Sequence, residues 1–332
     1  MVTRLRLGLL LLLGTAVILS ACSSSTDELE KVRLAEVTRS IFYAPQYVAL
    51  SEGFFEEQGL DVELTTTWGG DTTMTALLSD GADVALVGSE TSIYVYQQGT
   101  EDPVINFAQL TQTDGTFLVS RESVEDFQWE DLKGSVFLGQ RRGGMPQMVG
   151  EYVLRKNGIE PHADLELIQN IDFGNIPNAF ASGTGEFVQL FEPQATVFEA
   201  EGIGHVVASF GEESGKIPYT SFMARESYMK ENEDVIQKFT NAIHQAQLWV
   251  YEQPVETVAK SLAPYFEDTD LEVIENVLER YKAQESFDLD PILDEEEWDR
   301  LQDIIEDAGE LEERVDHSTL VNNEFAEKAV NQ

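Results

Sequence analysis

Several short segments of the chain set a flat apolar side chain beside groups that donate or accept hydrogen bonds. Tyr43 precedes Gln46, Trp68 precedes Gly69-Gly70-Asp71, Ser89-Glu90-Thr91 stand together, Gln140-Arg141 precede Gly143-Gly144, Asn175 precedes Pro177, and Phe191-Glu192 precede Pro193. Aromatic faces mixed with amides, hydroxyls and carboxylates suit the capture of a small, partly aromatic, polar solute. The same residues do not assemble a reaction centre. Cys22 is the single cysteine, the four histidines His162, His205, His244 and His317 are scattered, and no Gly-x-Ser-x-Gly elbow occurs. Catalysis by a thiolate, a metal set or an activated serine is therefore not expected, and neither a metal nor a cofactor is called for.

Each of these residues also suits a plainer use. Glu90 and Glu192 fit the first turn of a helix, where a carboxylate is worth roughly 0.3–1 kcal/mol against the helix dipole. Trp68 is either a stacking wall or a core residue. Gly144, with Gly143 and the arginines before it, is either a helix start or an anion cradle.

The elements that must position these groups follow from periodicity. Apolar runs at residues 32–37, 62–64, 84–87, 105–110, 117–120, 136–138, 165–169, 187–190 and 206–208 alternate with helical patterns, which argues for parallel α/β sheets. After about residue 227 the pattern turns helical, with Val235, Ile236, Phe239, Ala242, Ile243, Ala246 and Val250 on one stripe. This predicts a helical C-terminal cap. Pro45-Gln46-Tyr47-Val48 returns as Pro146-Gln147-Met148-Val149, an echo at an offset of about a hundred residues, so two similar lobes are expected. In such sheets ligands bind outside the carboxyl ends of the strands. All the candidates above fall at strand-to-helix junctions, with Glu90 and Glu192 on opposite lobes. Thr113, Gly115 and Gly215 lie where the chain would cross between lobes, and are the hinge candidates. Carboxylates at Glu90, Glu192 and Asp71 disfavour a bare anion, because facing one costs about several kcal/mol in a closed cleft. They favour a neutral or amine-bearing ring compound, unless Arg141 or Arg142 neutralises a glutamate and restores an anion site.

The first residues carry Arg4 and Arg6, an apolar run at 7–19, then Leu19-Ser20-Ala21-Cys22. The run is short for a membrane span and fits an export leader over 1–21, with Cys22 as a lipid-modified N-terminus and a tether over 22–31. The net charge of −40 makes nucleic acid an implausible partner. It suits a solvated surface in a salty exterior, where screening shortens repulsion to about 10 Å or less.

The stretch Tyr43-Ala44-Pro45-Gln46-Tyr47-Val48-Ala49, followed by Glu52-Gly53-Phe54-Phe55-Glu56-Glu57-Gln58-Gly59-Leu60, and the later Gly81-Ala82-Asp83-Val84-Ala85-Leu86-Val87-Gly88-Ser89, resembles the substrate-binding proteins for nitrate, sulfonates, taurine and thiamine-pyrimidine precursors. The resemblance implies a two-lobed periplasmic-binding-protein-like fold of the second type. Lobe one would comprise 32–113 and 216–332, and lobe two 114–215. It implies a receptor for an ABC importer, with permease and ATPase subunits as partners and no chemistry on the ligand. The favoured ligand is pyrimidine-like, the alternative is a sulfonate or nitrate, and a pyrimidine-precursor biosynthetic enzyme on the same fold is the remaining alternative. In the pyrimidine binders a glutamate near aromatics holds the ring, and Phe191-Glu192 occupies a comparable place.

Replacing Cys22 with serine is expected to move the protein from the membrane fraction into the medium with its fold intact. Retention on membranes after fractionation would refute the anchor.

Overall fold

A computed structural model describes residues 29–332. The expected leader, Cys22 and most of the tether lie outside these residues. Among the described residues the strands are β1 (Glu30–Glu36), β2 (Leu60–Thr66), β3 (Val84–Gly88), β4 (Val104–Thr111), β5 (Thr116–Ser120), β6 (Val136–Leu138), β7 (Glu166–Ile168), β8 (Phe187–Phe191), β9 (His205–Ser209) and β10 (Thr220–Arg225). They form two five-stranded sheets, ordered β2-β1-β3-β10-β4 and β7-β6-β8-β5-β9. The first nine coincide with the nine apolar runs, so the two-lobed α/β expectation holds.

The two sheets share one topology. In each, three parallel strands are followed by a strand that arrives from the crossing between lobes and runs antiparallel to both neighbours: β10 between β3 and β4, β5 between β8 and β9. This common plan accounts for the echo in the sequence. β10 was not among the expected strands. Its sequence, Thr-Ser-Phe-Met-Ala-Arg, does not alternate and opens on two hydroxyl residues, which mid-sheet burial tolerates because those hydroxyls are paired there. Ser221 Oγ donates to Asn106 Oδ1 at 2.5 Å and meets Ser89 Oγ at 2.9 Å, while the Thr220 and Thr111 hydroxyls lie 2.5 Å apart.

The helical C-terminal region is also as expected. The helix Glu233–Glu252 buries Val235, Ile236, Phe239, Ala242, Ile243, Ala246 and Val250, one stripe of a 3.6-residue period. Phe239 sits among Phe55, Phe107 and Phe222, with ring centres 4.8, 5.9 and 5.0 Å away. Farther on, residues 286–291 run along the outer edge of β4: Gln112 N donates to Ser286 O, Asp288 N to Leu110 O and Gln109 N to Pro291 O. The sheet edge is thereby covered. The later helices also touch lobe two, since Arg155 pairs with Asp307 at 2.6 Å and Arg280 with Glu192 at 2.6 Å. Among the described residues no helix is long and apolar enough to cross a membrane.

Phe239→Ala should cost about 3–5 kcal/mol of unfolding free energy, the usual penalty for emptying a buried phenylalanine site. Denaturant titration is the check, and a loss below about 1 kcal/mol would mean that the cap packs loosely on the sheet.

Candidate functional site

The carboxyl ends of β3 and β6 turn into helices that face one another across the lobes. β3 ends at Gly88, Ser89 caps the helix Glu90–Gln97, and the carboxyl of Glu90 folds back over Gly88, into the space a side chain there would fill. Glu90 is only 4% exposed. Burial lifts its pKa to about 7 against the backbone N–H groups of Glu90 itself and of Met145, which favour the charged form. Met145 is the first residue of the helix Met145–Lys156 on lobe two. Glu90 therefore aims a carboxyl from one lobe at a helix N-terminus of the other, and its Oε2 has no hydrogen-bond partner.

Aromatic residues wall this junction. The Phe42 ring centre lies 5.8 Å from Tyr43, 5.7 Å from Tyr219, 5.1 Å from Tyr281 and, across the lobes, 6.2 Å from Phe191. Gly115 permits that packing, since a Cβ there would stand 2.8 Å from the Phe42 ring. Glu36 and Glu90 both act on the buried Tyr43 hydroxyl, while Asp114, Tyr43 and Glu90 act on that of Tyr219; burial is the larger cause in each, and both pKa values are raised.

A chain of polar groups runs through lobe two to the crossing. Gln140 Nε2 donates to Gln189 O at 2.6 Å, Gln189 Nε2 donates to Thr116 Oγ1 at 2.8 Å, and Thr116 donates through its N–H (2.7 Å) and its hydroxyl to Asp114 Oδ1. Asp114 has no exposed surface, and burial raises its pKa to about 6. The Asp114 carboxyl and the Tyr219 hydroxyl are hydrogen-bonding neighbours, while Gln140 Oε1, like Glu90 Oε2, has no hydrogen-bond partner. Buried polar atoms in proteins are almost always paired, so the unpaired Glu90 Oε2 and Gln140 Oε1 are candidate ligand contacts. The other unpaired atoms, on Gln46, Gln109, Gln237 and Gln247, are spread through lobe one.

The structure thus brings Tyr43, Glu90, Gln140 and Phe191 together, and adds Phe42, Asp114 and Tyr219, which the sequence reading did not assign to the ligand. Asp114 was legible only as a residue of the expected crossing between Thr113 and Gly115, and Tyr219 carried no local signal. Other candidates face elsewhere. Gln46 donates to Glu36 at 2.8 Å, Ser89 pairs with Ser221, and Thr91 donates to Gly88 O at 2.7 Å. Asp71, Arg141 and Asn175 are exposed, as is Trp68, 69% accessible on a left-handed backbone with φ 58°. Gly144 caps the helix Met145–Lys156. Glu192 is committed internally: its carboxylate accepts from Thr196 N and Oγ1, both at 2.9 Å, and from Arg280 at 2.6 Å. Thr113 and Gly115 lie between β4 and β5, and Gly215, with φ 75°, lies between β9 and β10. Among the described residues no group of three or more His, Cys, Asp or Glu side chains is arranged to hold a metal ion.

A separate open groove is lined by Ile105, Met229, Lys230, Val321 and Phe325. It lies at the amino end of β4, away from the carboxyl ends of the parallel strands, and none of the sequence candidates borders it.

Residues 25–263 match the NMT1-like family. A protein of Bacillus subtilis (strain 168), named as a binding protein, YtlA, is 63% identical over 314 residues, covering 95% of this chain and 94% of its own. Among solved structures, a protein from Bordetella bronchiseptica RB50 has a TM-score of 0.73 at 22% identity, covering 92% of this chain and 98% of that one. The alkanesulfonate-binding protein SsuA from Xanthomonas axonopodis pv. citri, bound to MOPS, has a TM-score of 0.71 at 17% identity, with coverage of 89% and 99%. The periplasmic nitrate-binding protein NrtA from Synechocystis PCC 6803 has a TM-score of 0.71 at 18% identity, with coverage of 92% and 89%. At these identities the solved structures establish the fold alone.

The buried acids set a direction for stability. Burial raises Asp114 to about 6, Glu90 to about 7 and, with help from the charges of Asp290 and Glu297, Asp288 to about 8. Between about pH 4 and 8 the folded chain holds protons that the unfolded chain has released, so these groups lose their stabilising contribution as pH rises. Calorimetric scans of the ligand-free protein should show a higher Tm at pH 5 than at pH 8. A Tm that climbs across that range would contradict the burial of these carboxyls.

Proposed function

The chain belongs to the NMT1-like family, and on that premise we propose that it is the extracytoplasmic solute-binding receptor of an ABC importer, closing on an amine-bearing, pyrimidine-like ring compound. It passes the ligand unchanged to permease and ATPase subunits, and Cys22 holds it to the outer face of the membrane by a lipid. Lobe one, residues 32–113 with 216–332, and lobe two, residues 114–215, turn about Thr113, Gly115 and Gly215. The related YtlA and the solved SsuA and NrtA are named as binding proteins, which supports a receptor over an enzyme.

One observation carries the ligand class: Glu90 presents a buried carboxyl oxygen with no partner at the lobe junction, among Phe42, Tyr43, Phe191 and Tyr219. The shifts of Glu90 and Asp114 arise from burial and neutral groups, without an arginine or lysine among their causes. An N–H donor on a flat ring meets both features, stacking on the aromatics while it pairs the carboxylate. A sulfonate or nitrate would meet a buried acid where it needs a cation. The anion reading keeps one point in its favour, the N-terminus of the helix Met145–Lys156, but the Glu90 carboxyl is already aimed at it.

Titration calorimetry with aminopyrimidines, taurine and nitrate tests this. The wild-type protein should bind an aminopyrimidine and neither anion, and Glu90→Gln, which keeps the shape and removes the charge, should weaken binding at least about tenfold, or ~1.4 kcal/mol. Full affinity in the variant, or tight binding of nitrate or taurine by the wild type, would overturn the assignment.

A further inference from the structure

We propose that Gln140 is a second ligand-contacting group, an acceptor supplied by the second sheet, so that the preferred solute carries two donor groups on one ring, one for Glu90 and one for Gln140. This rests on the amine reading above and adds to it. Gln140 lies just beyond the carboxyl end of β6 and is only 3% exposed. Its Nε2 is occupied, donating at 2.6 Å to the backbone oxygen of Gln189 in β8. That bond fixes how the amide is turned, because the reverse setting would press Oε1 against a carbonyl oxygen. Oε1 is the atom left over, buried and without a hydrogen bond. A glutamine that only braced β6 against β8 would account for Nε2 and not for a buried, unpaired Oε1.

The donors on the neighbouring segments are committed elsewhere. Gln189 Nε2 serves Thr116 Oγ1 and Pro146 O, both at 2.8 Å, Gly143 N serves Gln147 Oε1 at 3.1 Å, and Arg142 Nε serves Gln169 Oε1 at 3.2 Å. The same contacts lead from Gln140 to Glu90. Gln189, which holds the Gln140 amide, also holds Pro146 O, and Pro146 follows Met145, whose N–H acts on the Glu90 carboxyl from the opposite sheet. Gln140 and Glu90 thus both approach the first turn of the helix Met145–Lys156, one from each sheet. An amide oxygen and an ionised carboxylate oxygen accept hydrogen bonds and cannot donate them. The solute edge that fits them is made of donors, which a nitrate or a sulfonate lacks. The carboxylate makes the stronger, charge-assisted bond, so a ligand with one donor spends it on Glu90 and leaves Gln140 unpaired. A ligand with two donors pairs both and joins the two sheets through itself, and selectivity follows from the bond the simpler ligand leaves unmade.

The test is calorimetry of a diamino- and a monoaminopyrimidine against the wild type and Gln140→Met. Methionine is close to glutamine in size and removes the acceptor. It also strips Gln189 O of its donor, a structural cost that both ligands share, so the difference between the ligands is the readout. The expected result is that Gln140→Met weakens the diamino compound about tenfold or more and the monoamino compound under about threefold. An equal loss for both compounds would show that Gln140 only braces β8 and would overturn the proposal. Failure of the wild type to bind any amine sinks the functional reading and this one with it; amine binding indifferent to Gln140→Met sinks this one alone. Should the variant fold poorly, the wild type decides: exchanging one amino group of the diamino compound for a methyl group, similar in size but no donor, should weaken binding about tenfold or more. Equal affinity for the two compounds would overturn the proposal.

Discussion

Each sheet is completed by a strand that enters from the crossing and runs against its neighbours: β10 between β3 and β4, β5 between β8 and β9. Both pairings are buried, so neither lobe can be closed without the chain passing between them twice. The two passages therefore lie side by side, with Ile217 N donating to Gln112 O and Tyr219 N to Thr111 O. Gly115 under Phe42 and Tyr219 beside Asp114 are delivered to the junction by the passages into those two strands. Gln284 reinforces the arrangement from the C-terminal region. Its side chain donates to Asp114 O at 3.0 Å and accepts from Ser209 Oγ at 2.5 Å, touching both passages at once.

Four buried acids near the carboxyl ends of the strands divide by how they are paired. Glu36 accepts from Gln46 at 2.8 Å, Tyr47 at 2.6 Å and Thr66 at 2.6 Å, and Glu192 accepts from Thr196 and Arg280. Burial raises both pKa values, with these partners opposing it. Such acids fix loops and helix starts. Glu90 keeps an oxygen with no partner, and Asp114, paired with Thr116 and the Tyr219 hydroxyl, carries no counter-charge. The energy lost by leaving the Glu90 oxygen unpaired is available to any group that pairs it, which is how a binding protein can draw closure from recognition.

The sheets, the helical cap and the doubling of the fold were legible because each rests on a pattern contained within one element. Apolar runs mark strands buried on both faces, and a 3.6-residue stripe marks the helix Glu233–Glu252. β10 escaped for the converse reason: its polar residues are tolerated only because Asn106, Ser89 and Thr111 meet them from distant parts of the chain.

The site divides in the same way. Sequence alone led to the expectation of a small polar, partly aromatic solute at the strand-to-helix junctions, and it named Tyr43, Glu90, Gln140 and Phe191, which the fold brings to one junction. It could not rank Glu90 above Glu192, since each is a glutamate at the start of a helix. Arg280, 88 residues away from Glu192, decides that ranking by taking up its charge. Nor could the chain's local pattern tell that Trp68 is exposed, or that Asp114 turns a carboxyl oxygen to the Tyr219 hydroxyl. Whether a polar group is spent or available depends on which partners the tertiary fold sets within about 3 Å of it, and those partners come from remote segments whose approach no local periodicity encodes.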